Sequence, residues 1–218
     1  MSKRASFFMA AFLCFASIAL ANPIKYDVTV DTTSIFGTAG SLDFNFNPGP
    51  LVTQSGSLQI LDFTSDGTLV GSPTLTGNVA GALPATLTFD NGTGFNDYFE
   101  DFTFGSTLSF DVSLYGPALS SPDGVSTSGS TFAFSLFSDA AGTVPALTTD
   151  TTDGFAFTVD VNLDGTTNVT NFSSQTEVVQ PGTGVIPEPR DLPWLCTGIL
   201  AVIVTQRHRQ RQSAGRRG

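Results

Sequence analysis

Large apolar residues take every second position in a series of short segments: YDVTV (Tyr26–Val30), LDFNF (Leu42–Phe46), TLTFD (Thr86–Asp90), TLSFDVSLY (Thr107–Tyr115), TFAFSLF (Thr131–Phe137) and FAFTVDVNL (Phe155–Leu163). Thr, Ser, Asp and Asn fill the places between, so each segment has one dry face and one wet face, the period of a half-buried β-strand. SLQIL (Ser57–Leu61), TLTGNV (Thr74–Val79) and the stretch near Phe102–Phe104 carry the same pattern more weakly. Pro48-Gly49-Pro50, Asp66-Gly67, Asn91-Gly92, Pro122-Asp123-Gly124 and Asp164-Gly165 punctuate the series as turns. Helical periodicity is missing from the body. Strands that each bury one face predict an all-β body, an antiparallel two-sheet sandwich or jelly roll. With no fixed repeat, a single globular body is expected rather than a solenoid. Most of the body's phenylalanines fall on the alternating apolar positions and are read as its core.

Both ends break this pattern. Residues 1–21 open with Lys3 and Arg4, run apolar from Ala5 to Ile18 and close on Ala19-Leu20-Ala21. That is the layout of a secretory signal peptide, with Ala19 and Ala21 flanking the expected cut. The apolar run is shorter than the ~20 residues of a spanning helix. The β-rich body then covers 22–179. Residues 180–191 form a Pro/Gly tether, 192–206 a short apolar membrane segment, and 207–218 a basic tail with Arg207, Arg209 and Arg211. Arginines after an apolar segment stay on the cytoplasmic side when the body is exported.

Charge and cysteine content narrow the chemistry. Between Asn22 and Pro187 one lysine, Lys25, faces seventeen carboxylates, a formal charge of −16. Such a field disfavours nucleic acid and anionic surfaces as partners, and it opposes compaction unless cations screen it. Cys14 lies in the signal and Cys196 in the terminal apolar run, so the body stands without disulfides. The lone histidine, His208, is in the tail, and the body therefore has neither Ser-His-Asp nor Cys-His chemistry nor an ordinary zinc site. Paired carboxylates remain as the one catalytic option, but the body has no tryptophan for a sugar platform, and a non-enzymatic role is expected.

Two acidic groups stand out. VDVNLDGTTN places Asp160, Asn162 and Asp164 at alternate positions before Gly165, the first half of a calcium loop. Asn171 stands where the bidentate Glu belongs, and the same residues serve as the wet face of a strand ending in an Asp-Gly turn. No cofactor is required; calcium at Asp160, Asn162 and Asp164 is the alternative. NDYFEDF (Asn96–Phe102) gathers Asp97, Glu100 and Asp101 and reads as a solvated acidic loop.

The C-terminal stretch VIPEPRDLPWLCTGILAVIVTQRHRQRQ joins Pro187-Glu188-Pro189, a hydrophobic segment and a basic tail. In this order, on a signal-bearing chain, it resembles the PEP-CTERM sorting signal of Gram-negative bacteria. The resemblance covers Ile186 to about Arg211. Arg190 and Asp191 depart from it, standing where small or hydroxyl residues are usual. The body, with FDNGTGFNDYF and TVDVNLDGTT, also looks like the recurrent ectodomains of that family, for which no activity follows. The resemblance implies an exosortase as partner, transient anchoring in the inner membrane, and an exopolysaccharide- or biofilm-associated role at the cell surface or in the extracellular matrix. The expected function is structural or adhesive. A calcium-assisted carbohydrate-binding module is the alternative, and a glycoside-active enzyme ranks below both.

Overall fold

The computed structural model describes residues 23–182. The signal segment with Ala19 and Ala21, the Pro187-Glu188-Pro189 motif, the apolar segment and the arginine tail lie outside the described residues. No helix among the described residues is long and apolar enough to cross a membrane.

The body is all-β and consists of two six-stranded antiparallel sheets. The strands are β1 (Ile24–Asp31), β2 (Ala39–Pro48), β3 (Ser57–Ser65), β4 (Thr68–Thr76), β5 (Val79–Ala80), β6 (Leu87–Asp90), β7 (Asp97–Thr103), β8 (Thr107–Tyr115), β9 (Ser130–Phe137), β10 (Phe155–Val161), β11 (Thr167–Asn171) and β12 (Thr176–Val179). One sheet runs β12-β1-β8-β3-β6-β5 and the other β11-β10-β9-β2-β7-β4. The chain keeps changing sheet: β1, β3 and β8 belong to the first and β2, β4 and β7 to the second.

Alternation produces the core directly. Phe44 of β2 meets Phe110 of β8 across the sheets with ring centroids 5.2 Å apart and the planes at 70°. Phe110 in turn meets Phe134 of β9 at 5.0 Å. Edge-on pairs of this kind add about 0.5–1.5 kcal/mol beyond area burial. Eleven of the body's phenylalanines are buried this way, as read from their positions. Polar staples also join the sheets. Asn91, just after β6, accepts from Gly56 N–H at 2.9 Å and donates through Nδ2 to Gln54 O and to Ser130 Oγ of β9, both at 2.8 Å. The Tyr26 hydroxyl of β1 lies 2.6 Å from Thr167 Oγ1 of β11.

The strongly alternating segments are all strands, with ends moved by a few residues. Three expectations need revision. TLTGNV does not form one strand: it breaks at Gly77, whose φ of 72° suits glycine, into the end of β4 and the start of β5. NDYFEDF is not a solvated loop but mostly β7, which packs Tyr98, Glu100 and Phe102 inward. β11 and β12 carry too little alternation to be seen in the sequence, and pairing with β10 and β1 makes them strands. In β4 the residues 71–73 bulge out between Val70 and Thr74. Pro73 is tolerated there because β4 is an edge strand, where a missing N–H costs no ladder bond.

Candidate functional site

Opposite its core face, the second sheet presents a row of polar side chains. On β2 the alternation that turns Leu42, Phe44 and Phe46 inward turns Asp43, Asn45 and Asn47 outward. Register then decides their neighbours. Asn45 pairs with Asp97 of β7 on one side and with Ala133 of β9 on the other, and Asp43 pairs with Ser135 of β9. Asp43, Asn45, Asp97 and Ser135 therefore share one patch of three adjacent strands.

A cleft of about 390 Å³ opens over this patch. Asp43, Asn45, Asn47, Thr131 and Ala133 form its floor, while Phe95, Phe155 and Asp153 stand around it. Ala133, the smallest side chain in the row, leaves the space above Asn45 open. Phe95 lies in the loop before β7 and is 52% exposed, unlike the core phenylalanines. Phe155 owes its place to a bulge. Strict alternation would put it inside with Phe157, but the pairing of β9 with β10 shifts between Phe155 and Phe157, so that Phe155 stands opposite outward-facing Ser135. The extra residue, Ala156, is buried, and the ring of Phe155 is re-aimed into the cleft.

The floor is electrostatically unusual. Asn45 Nδ2 donates to Asp43 Oδ1 at 2.6 Å, and the Asp43 carboxyl lies against that of Asp97. Burial pushes Asp43 up to about 9; the hydrogen bond with Asp97 and that neighbour's negative charge add to the rise, and Asn45 opposes it. Burial raises Asp97 as well, against the effect of its bond with Asp43. Desolvation disfavours the charged form, and two carboxyls in contact cannot both ionise cheaply. Both effects favour the protonated form of Asp43 near neutral pH. Lys25, the sole basic residue among those described, belongs to β1 in the other sheet. Three oxygens of the patch, Asn45 Oδ1, Asp97 Oδ1 and Ser135 Oγ, are buried without a hydrogen-bond partner.

Glu100 lies three residues beyond Asp97 on β7 and so faces the core, where it accepts from the Tyr98 hydroxyl, itself the acceptor for Leu83 N–H at 3.0 Å. Burial raises Glu100 above the ordinary carboxylate range. Of the acidic group in NDYFEDF, only Asp97 reaches the patch floor.

Asp160, Asn162 and Asp164 are placed differently. Asp160 projects from β10 and accepts from Thr131 Oγ1 at 2.6 Å. Asn162 Nδ2 donates to Thr166 Oγ1 at 3.0 Å, and Asp164 Oδ1 accepts from Thr166 N–H at 3.0 Å and its hydroxyl at 2.6 Å. Asp160 and Asn162 border a second opening of about 370 Å³ beside Pro50 and Gly129, whereas Asp164 closes the Asp-Gly turn of the β10–β11 hairpin. Gly165, at φ 82°, supplies the left-handed residue of that turn. Among the described residues no group of three or more His, Cys, Asp or Glu side chains is arranged to hold a metal ion.

Sequence reasoning missed Asp43, Asn45, Ser135, Phe95 and Phe155 as a group. The wet face of LDFNF was a signal for the first two, and nothing local pointed to the rest. Comparison of the chain with known protein families, with curated proteins and with solved structures finds no match.

Proposed function

We propose that this chain is an exported surface or extracellular-matrix protein whose β body adheres to a saccharide through the cleft on its second sheet. The observation that carries the reading is the cleft itself: two phenylalanine rings stand over a floor of Asp and Asn side chains. Apolar ring faces suit the C–H face of a sugar, and the floor groups suit its hydroxyls. An exposed aromatic is otherwise unfavourable, and Phe95 has no core to fill. The repeated exchange of consecutive strands between sheets accords with a jelly roll, an architecture that presents such faces. Export, membrane retention and exosortase processing rest on the two terminal motifs and on the resemblance they carry.

Binding fits this site better than catalysis. Glycosidase carboxylates stand about 5–10 Å apart, leaving room for a sugar carbon or a water. Asp43 and Asp97 lie close enough for each to act on the other's carboxyl.

Affinity electrophoresis of the purified full chain through gels containing alginate or dextran tests the reading. Retardation in one of them, reduced about two- to tenfold in affinity by Phe95→Ala with an unchanged melting point, is the expected result. Equal mobility of wild type and Phe95→Ala in every gel would remove the cleft as the adhesive site.

A further inference from the structure

The patch beneath the cleft is unfinished as a hydrogen-bonding arrangement. Asn45 is 8% exposed and Ser135 0% exposed, and both leave an oxygen unpartnered. Asp97 Oδ1 is a third such oxygen, and Asp43 adds a carboxyl beside it. Buried polar atoms without partners cost about 1–3 kcal/mol each, so a set of them in one patch calls for a missing partner. All are oxygens and all are acceptors except the Ser135 hydroxyl, which can be either. Among the described residues no cationic side chain is near, since their one basic residue, Lys25, belongs to the other sheet.

The geometry points to a calcium site formed by Asp43, Asn45 and Asp97. Two observations converge on it: the cross-strand pair Asn45–Asp97 with Asp43 two residues along β2, and the buried Oδ1 atoms of Asn45 and Asp97 that have no hydrogen-bond partner. β2 and β7 are adjacent, and adjacent strands lie about 4.8 Å apart, twice the ~2.4 Å calcium–oxygen distance, so oxygens on the two can bracket one ion. Ser135 lies on β9, beyond β2, and stays outside the set. Two carboxylates and an amide oxygen are hard anionic and neutral ligands of the kind calcium takes. Water or a ligand hydroxyl entering from the cleft completes its shell of six to eight. Magnesium, which demands a tight octahedron at about 2.0–2.1 Å, suits a flat sheet face less well. The site stands independently of what occupies the cleft, and it is separate from Asp160, Asn162 and Asp164, whose side chains are engaged with Thr131 and Thr166.

Calorimetric titration of the chelator-treated full chain with calcium chloride near neutral pH tests it. Expected are a single saturable calcium per chain and weaker binding of magnesium chloride. Asp97→Asn and Asp43→Asn should each weaken calcium at least about tenfold, the minimum seen when the support of a metal ligand is lost. Asn45→Ala, which leaves charge untouched, should weaken it by a smaller factor, and Asp164→Ala should leave it unchanged. Far-ultraviolet dichroism and melting confirm that each variant is folded; if a carboxylate variant is not, Asn45→Ala decides. No saturable calcium in the wild type overturns the proposal. So does wild-type affinity in the folded Asp and Asn45 variants, or loss of binding in Asp164→Ala alone.

Discussion

Asn45 of β2 stands directly opposite Asp97 of β7, and each leaves its Oδ1 buried without a hydrogen-bond partner. Next to them Asp43 lies against Asp97 in a patch where burial lifts both carboxyls. This relationship has a thermodynamic consequence in metal-free solution.

A carboxyl whose folded pKa is raised favours the folded state when protonated. For Asp43 the contribution is whole below the ordinary 3.8 and is lost as pH rises through about 9. Asp66 works in the opposite sense. Hydrogen bonds from the Ser106 hydroxyl and from the Thr107 and Ser106 backbones lower it to about 2, so its contribution is present above 3.8 and is lost as pH falls towards 2. Chelator-treated protein should therefore be most stable at mildly acidic pH and weaken towards pH 9. The slope from one such group is at most about 1.4 kcal/mol per pH unit. Urea unfolding across this range checks it, and Asp43→Asn should flatten the alkaline limb. A wild type whose stability rises steadily from acidic to alkaline pH would contradict the arrangement.

Phe44 touches the rings of Tyr98, Phe110 and Phe134 and joins the two sheets. Phe44→Ala should cost about 3–5 kcal/mol in chemical denaturation, enough to threaten folding of a marginal domain. Phe36 is exposed beside a short 3-10 turn, and Phe36→Ala should change stability by no more than about 0.5 kcal/mol. Similar losses at the two positions would mean that the core is not where the alternation places it.

Asn91 is buried and satisfies three groups on two segments at once, the stretch before β3 and the start of β9. Asn91→Ala leaves Gly56 N–H and Gln54 O without that partner and should destabilise by about 2–3 kcal/mol. Asn91→Asp keeps the acceptor for Gly56 but lacks the donor and adds a buried charge, so it should not rescue. A surface asparagine would give a near-neutral result in the same unfolding assay.

Replacing Pro187, Glu188 and Pro189 with alanine should leave export intact while the chain and its arginine tail stay in the inner membrane. Fractionation and intact mass in an exosortase-bearing host read the result. A mutant shortened and released like the wild type would refute the sorting role.

Gly67 sits in the turn between β3 and β4, where an added Cβ would meet the Phe102 ring at 2.4 Å and Thr103 O at 2.6 Å. Gly67→Ala should therefore destabilise by roughly 1–3 kcal/mol through overpacking at a tight approach. Gly94, with open space around it, should accept alanine without measurable loss in the same melt.

The period-two alternation of YDVTV, LDFNF and TLSFDVSLY was enough to place β1, β2 and β8 and to show which side chains enter the core, because strand geometry repeats every two residues wherever it occurs. The Asp-Gly and Asn-Gly turns were legible for the same local reason. The excess of carboxylates, and the terminal motifs with what they imply for sorting, also belong to the sequence alone. Which polar residues meet on the second sheet did not. Asn45 and Asp97 are 52 residues apart in the chain, and Asp43 and Ser135 farther still; only register brings them together, and register is settled when the strands bury their apolar faces against the other sheet. NDYFEDF became a strand because β2 and β4 pair with it on either side, which overrode its acidic, loop-like composition. Phe155 left the core side through a bulge that no alternation pattern foretells. The strands were local and could be read; the site is made of long-range neighbours, and only the folded chain decides them.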